Sequence, residues 1–156
     1  MRVAFVSNFI NHHQISLCRY LYEKCEEFYF IETMPMPIEQ IKLGYYNYSN
    51  EPFVCKMYEN ASNQAFAESV IKEFDAVIFG ACKTEYIDIR MKNNKLSFIF
   101  SERLWKKGLY RRFIPTTHDK VKRRFLRYKD HALYVLCASA YLPFDLQLIK
   151  FPKNKC

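Results

Sequence analysis

The sequence has very little glycine, and this scarcity limits the kind of nucleotide site that it can hold. Only 3 of the 156 residues are glycine. None of them lies in the turn Ile10–Gln14 after the first apolar segment, where many α/β nucleotide-binding proteins carry a glycine-rich phosphate loop. The turn reads INHHQ instead. We therefore expect no phosphate-cradling loop at this point of the chain.

Long apolar runs are also missing. No segment approaches the ~20 apolar residues that a membrane-spanning helix needs, and Val3 to Val6 is too short for the core of a signal peptide. Proline-rich and low-complexity tracts are absent, whereas half of the residues are hydrophobic. These features predict a packed, soluble single domain located in the cytoplasm.

The six cysteines lack any CxxC pair or metal-ligand spacing, and several lie in apolar stretches. This pattern predicts reduced, buried thiols that pack as small apolar side chains. The adjacent pair His12 and His13 would need further ligands to hold a metal, and only His118 and His131 remain, far along the chain. We expect neither a metal nor a cofactor in this domain.

Acidic residues are scarce in one part of the chain, residues 101–130, which we call the basic segment. It holds eleven basic and three acidic residues, a difference equal to the net charge of +8 of the whole chain. Such a segment suits an anionic membrane surface or a phosphorylated ligand. The candidate contacts are Arg111, Arg112, Lys120, Arg123, Arg124 and Arg127. Nucleic acid fits the charge, but no known nucleic-acid motif accompanies it.

Apolar segments typical of strands alternate with amphipathic segments typical of helices. The expected strands are Arg2–Ser7, Phe28–Glu32, Phe53–Met57, Asp75–Phe79, Leu96–Phe100 and Ala132–Cys137. The expected helices begin near Ile15, after a cap at Asn60 or Ser62, and after a cap at Thr84, and two more span Asp119–Lys129 and Ser139–Leu146. Residues 33–50 are expected to be irregular. The alternation predicts an α/β fold, a doubly wound, mostly parallel Rossmann-like sheet with helices on both faces, in one domain.

Polar side chains follow the first and fifth strands, whose carboxyl ends border the ligand-binding crevice of such a fold. The first group is Asn11, His12, His13 and Gln14, and the second is Glu102, Arg103 and Lys107. Imidazole exchanges protons near neutral pH, amides both donate and accept hydrogen bonds, and a carboxylate accepts them from hydroxyls or takes a proton. The alternative is structural. One histidine would cap a helix while the other faces solvent, and Glu102 and Arg103 would form a surface pair.

Three stretches resemble the N-terminal half of GT-B glycosyltransferases, especially bacterial enzymes that build capsular and other surface polysaccharides. They read MRVAFVSNFINHHQISLCRYLYE, IFSERLWKKGLYRRF and YVLCASAYLPFDLQLIKFPKNKC, and the likeness spans nearly the whole chain. The resemblance implies an acceptor-binding domain that faces a second, donor-binding domain. On that basis His12, His13 and Glu102 would be catalytic, and the acceptor or the transferred sugar would contact Asn11, Gln14, Arg103 and Lys107.

The resemblance also implies partners. The C-terminal domain would bind the nucleotide-sugar donor, a glycan or lipid-linked molecule would be the acceptor, and the basic segment would lie against the inner face of the plasma membrane. Because the chain stops at Cys156, we expect it to lack the donor site and to be inactive alone. Two alternatives stay open: a non-enzymatic α/β module that binds a ligand or a protein, and a nucleic-acid-binding domain.

Overall fold

The computed structural model describes residues 1–156. The protein is organised around one six-stranded sheet. The strands are β1 Arg2–Ser7, β2 Glu27–Glu32, β3 Val54–Lys56, β4 Ala76–Phe79, β5 Ser97–Ser101 and β6 Leu133–Cys137. Every neighbouring pair is parallel, and the order is β3-β2-β1-β4-β5-β6. This is the strand order of a doubly wound, Rossmann-like sheet, so the predicted fold class is confirmed.

The connections between strands are mainly helical. The helices are α1 Ile15–Lys24, α2 Ile38–Lys42, α3 Ala61–Glu73, α4 Thr84–Met91, α5 Pro115–Val121 and α6 Leu142–Leu148. A π-helical turn, Lys122–Leu126, continues α5, and 3-10 turns span Leu109–Phe113 and Lys153–Lys155. None of the helices is long and apolar enough to cross a bilayer.

Several local predictions need correction. Residues 33–50 are not wholly irregular, because they contain α2. The helix expected from Asp119 begins earlier, at Pro115, since proline is well suited to the first helical turn. Thr84 is the first residue of α4 rather than its cap, whereas Asn60 does cap α3 by accepting the Asn63 N–H at 2.8 Å.

Helices cover the sheet on both faces. On one face α1 contributes Ile15 and Cys18 to a core that includes Phe5 and Phe30 of the strands. The other face carries α3, α4, the helix of the basic segment and α6. Strands in the middle of the sheet are consequently buried on both sides, which explains their nearly continuous apolar sequences.

One buried charge holds the α3–β4 corner together. Arg90 of α4 is fully buried and donates hydrogen bonds to the carbonyls of Ile71, Phe74, Asp75 and Leu96 at 2.6–3.2 Å. Carbonyls at the end of a helix have no partner within the helix, so a cation there is favourable. Burial lowers the pKa of Arg90 to about 10.

The sheet reverses its winding direction at β1, and a crevice opens between the carboxyl ends of β1 and β4. Gly80 directly follows β4, and the side chains of Ser7 and Phe5 lie so close to it that there is no room for a side chain. A Cβ at this position would lie 2.7 Å from Ser7 Oγ and 3.0 Å from the Phe5 ring. The same Ser7 Oγ accepts the Ala81 N–H at 3.2 Å, which ties the two strand ends together.

Candidate functional site

A polar cavity of about 340 Å³ lies at the carboxyl ends of β1, β4 and β5. Only 2 of its 11 lining residues are hydrophobic. They are Asn8, Asn11, His13, Gln14, Gly80, Ala81, Phe100, Ser101, Glu102, Lys106 and Arg124. We call this space the switch-point cavity, because it lies where a doubly wound sheet binds its ligands.

The turn before α1 is stabilised by its own amide side chains. Asn11 Oδ1 accepts the His13 N–H at 3.0 Å, and Gln14 Oε1 accepts the Asn11 N–H at 3.3 Å. These two bonds satisfy backbone donors within the turn, whereas Gln14, the residue before α1, makes no side-chain hydrogen bond that caps the helix. The side-chain oxygen of each amide therefore already accepts a hydrogen bond. Asn11 and Gln14 line the switch-point cavity, but they also stabilise the turn before α1.

The two histidines of the turn face different surroundings. His13 lines the switch-point cavity. The ring of His12 lies 3.8 Å from that of His13 and 5.4 Å from that of Tyr45, measured between centroids. His12 borders a second cavity, of about 500 Å³, formed mainly by Leu43, Tyr45, Tyr46 and Tyr48. Of the two predicted catalytic histidines, only His13 lies with Glu102.

A buried carboxyl group holds the turn in place. Glu32, at the end of β2, is fully buried, and its Oε1 accepts the Ile10 N–H at 2.9 Å and the Ser49 hydroxyl at 3.0 Å. The Tyr58 hydroxyl lies 3.5 Å from the other oxygen. Burial raises the pKa of Glu32 above its ordinary value. Glu32 is not among the predicted site residues, although an acidic residue that ends an otherwise apolar strand was a usable signal.

Glu102 lies at the cavity edge as an ionised acceptor. It forms an ion pair with Lys106, which stands four positions later. The hydrogen bond from Lys106 is the main cause of a lowered Glu102 pKa, and the positive charge of Lys106 adds to it. A carboxylate held ionised in this way is suited to accepting hydrogen bonds from ligand hydroxyls, and it is a weak base near neutral pH.

Arg124 belongs to the switch-point cavity rather than to the outer face of the basic segment. Its guanidinium donates to the Cys82 carbonyl at 3.1 Å and to the Gly80 carbonyl just beyond β4. Arg124 lies within the π turn Lys122–Leu126, in which the Arg127 N–H bonds to the Lys122 carbonyl at 3.2 Å. A π turn changes the direction of the following side chains relative to a regular α-helix.

Arg103 and Lys107 do not line the cavity. Arg103 Nε lies 3.5 Å from Asp145 of α6, and its guanidinium stacks over the Tyr141 ring at 5.0 Å. Asp145 also accepts the Leu104 N–H at 2.9 Å, so this contact fastens the loop after β5. Lys107 is exposed, and its neighbour Lys106 occupies the place that had been predicted for it.

The rest of the basic segment forms a surface of mixed character. Lys120 and Arg123 are exposed and Arg111 and Arg112 are half-buried, whereas Arg127 is paired with Asp88 at 2.9 Å. Exposed apolar side chains lie among the charges at Leu109, Tyr110, Phe113 and Ile114. The helical part of the basic segment is anchored by Val121 and Phe125, which are buried in the core.

The sulfur and imidazole groups are dispersed. No group of three or more His, Cys, Asp or Glu side chains is placed to hold a metal ion. All six cysteines are free thiols, and Cys18 is buried, with a pKa raised to about 12 by burial. The prediction of burial is wrong for Cys137 and Cys156, which are exposed because they end β6 and the chain.

The cavity thus combines residues from four distant parts of the chain: the turn after β1, the end of β4, the end of β5 with its loop, and the π turn. It offers an imidazole, a carboxylate, an ammonium and a guanidinium, together with amide groups. Comparisons with models of known protein families, with curated proteins and with solved structures found no match.

Proposed function

We propose that this chain is the acceptor-binding domain of a GT-B glycosyltransferase of cell-surface polysaccharide biosynthesis. The complete enzyme would transfer a sugar, as a hexosyltransferase does, from a nucleotide-sugar donor to a glycan or lipid-linked acceptor. The observation that carries the proposal is the switch-point cavity. It occupies the ligand-binding place of a doubly wound fold, it has no phosphate loop, and most of its lining residues carry polar side chains.

The lining chemistry suits a hydroxyl-rich acceptor. The ionised Glu102 accepts a hydrogen bond from one hydroxyl, and the Lys106 ammonium donates to another. His13 takes the proton of the attacking hydroxyl while that oxygen bonds to the anomeric carbon and the bond between sugar and nucleotide phosphate breaks. The donor itself would be held by a C-terminal domain, and no cofactor is assigned to this one.

A peripheral position at the inner face of the plasma membrane forms part of the proposal. The exposed rings of Tyr110 and Phe113, 65% and 72% accessible, stand beside Arg111 and Arg112. Aromatic side chains that insert at the headgroup level, combined with basic residues that attract anionic lipid, are typical of proteins bound at a bilayer surface. A lipid-linked acceptor would be presented at that surface.

The test is a titration of the isotope-labelled chain, followed through its backbone amide resonances. Short oligosaccharides from bacterial surface polysaccharides should shift the amides of Asn11, Ala81 and Ser101, which line the cavity. A nucleotide sugar should bind there more weakly than these oligosaccharides do. The variant His13→Ala should bind the glycan roughly fivefold more weakly, the effect of about one lost hydrogen bond.

The matched control is Lys107→Ala, because Lys107 is exposed and lies outside the cavity. It should keep the affinity of the wild type. Binding of a nucleotide sugar in the cavity, without any glycan binding, would refute the acceptor assignment. Binding of neither ligand would favour the non-enzymatic module.

A further inference from the structure

We propose that the switch-point cavity recognises a ligand with an anionic group, a carboxylate or a phosphate, through the guanidinium of Arg124. The inference rests on the proposed function in one respect, since the remainder of the ligand is taken to be a sugar. It specifies the class of acceptor as an acidic glycan, such as one carrying a uronate or a sugar phosphate at the position that enters the cavity.

The first argument is the charge balance of the cavity. Its lining includes one carboxylate, Glu102, and two permanent cations, Lys106 and Arg124. Glu102 and Lys106 are paired with each other, so their charges offset. No carboxylate lies within 4.0 Å of the Arg124 guanidinium, which makes it the cation of this cavity without an anionic partner.

The second argument is how Arg124 is held. Two of its N–H groups donate to the carbonyls of Gly80 and Cys82, and this fixes the plane of the guanidinium. A guanidinium has five N–H donors, so three remain for a ligand. Carbonyl oxygens orient the group but carry no net charge to neutralise it. A fixed guanidinium with free donors matches the planar fork that carboxylates and phosphates accept.

The third argument concerns position. Arg124 is partly buried, unlike its exposed neighbour Arg123. A cation at a partly buried place attracts an anion more strongly than one on an open surface, because less water screens it. If Arg124 served only to connect the helix with the end of β4, the two hydrogen bonds to carbonyls would be sufficient. That role would not account for a guanidinium that also lines a polar cavity.

The experiment compares sugars that differ in charge alone. Wild-type protein is titrated with glucuronate, with neutral glucuronamide, with glucose 6-phosphate and with inorganic phosphate, and the amides of Gly80 and Ala81 report binding. Glucuronate should bind roughly tenfold more tightly than glucuronamide, the effect expected of a charge-assisted hydrogen bond. The relative affinities of glucuronate and glucose 6-phosphate identify which anion the site prefers.

Two neighbouring substitutions separate a local contact from general charge. Arg124→Gln should remove the preference, so that glucuronate and glucuronamide bind about equally. Arg123→Gln removes the same charge from the exposed face and should keep the preference. Arg124→Lys keeps the charge without the fork and should keep part of the preference. This variant also covers the case in which the glutamine variant fails to fold.

The outcomes discriminate between the two proposals. Equal binding of both uronic derivatives by the wild type, with shifts at the cavity, overturns the anion subsite and leaves the acceptor proposal standing. If inorganic phosphate shifts Gly80 and Ala81 and glucose 6-phosphate binds no more tightly, the anion subsite is supported. The proposal that the ligand is a sugar is then contradicted. Absence of all binding overturns both.

Discussion

Replacement of Arg90 by methionine is the sharpest test of how this fold is held together. The change removes five hydrogen bonds, four to backbone carbonyls and one to Ser97 Oγ at 3.3 Å. Each buried acceptor that loses its partner costs about 1 kcal/mol, and relief from burying a charge offsets part of the total. We expect a net loss of about 3 kcal/mol from the free energy of unfolding.

Such a loss is large against the ~5–15 kcal/mol that a domain typically has, and it corresponds to a Tm lower by roughly 9 °C. The assay is denaturant unfolding followed by the fluorescence of Trp105, which is the one tryptophan and is buried. Arg90→Lys keeps the charge but not the fork, so its loss should be intermediate.

The control for Arg90 is Lys95→Met. Lys95 donates to the Glu73 carbonyl at the same helix end, at 3.3 Å, but this contact is exposed. Its loss should stay within about 0.5 kcal/mol, as is usual for surface changes. If Arg90→Met and Lys95→Met were equally mild, the assignment of Arg90 as a structural clamp would be wrong.

Three further predictions concern the site and the surface. Burial raises the pKa of Glu32, so the folded state holds its proton more tightly than the unfolded state does. As pH rises from 4.5 through the raised pKa of the folded state, the free energy of unfolding of the wild type should therefore fall relative to that of Glu32→Gln. Denaturation at several pH values checks this, and a constant difference contradicts it. Gly80→Ala should lower stability by about 1–3 kcal/mol because its Cβ meets Ser7 Oγ, and an unchanged Tm would argue against this close approach. The double change of Arg111 and Arg112 to glutamine should weaken sedimentation with phosphatidylglycerol vesicles severalfold, whereas Arg127→Gln, already paired with Asp88, should have little effect. If the double change and Arg127→Gln weakened vesicle binding equally, the assignment of Arg111 and Arg112 to a membrane-binding surface would be wrong.

The general architecture was predictable from the sequence because it depends on local patterns. Apolar runs separated by amphipathic segments indicated alternating strands and helices, and the right-handed connection of parallel strands then favours a doubly wound sheet. The same logic predicted that INHHQ and Glu102 lie near each other, since they follow strands whose carboxyl ends meet at one edge of the sheet. In such a fold, residues that follow neighbouring strands lie close together whatever their separation in sequence.

Which side chain reaches the cavity was decided only by the tertiary structure. His13, Lys106 and Arg124 line the cavity. Their immediate neighbours His12, Lys107 and Arg123, which have the same side chains, do not. Sequence periodicity assigns a residue to a face within about one position, which is too coarse to separate neighbours. The choice depends on contacts made far along the chain, as between Arg124 and the carbonyl of Gly80.

The turn INHHQ shows the same division. Its lack of glycine was enough to predict that no glycine-rich phosphate loop forms there, because such a loop depends on local backbone freedom. The folded chain was needed to show that Asn11 and Gln14 hydrogen-bond within the turn and that Glu32 holds Ile10 from another strand. Sequence therefore determined the kind of turn and its place at the sheet edge. The tertiary structure determined which of its side chains are occupied and which remain free to meet a ligand, because hydrogen-bond partners 22 residues apart come together only in the fold.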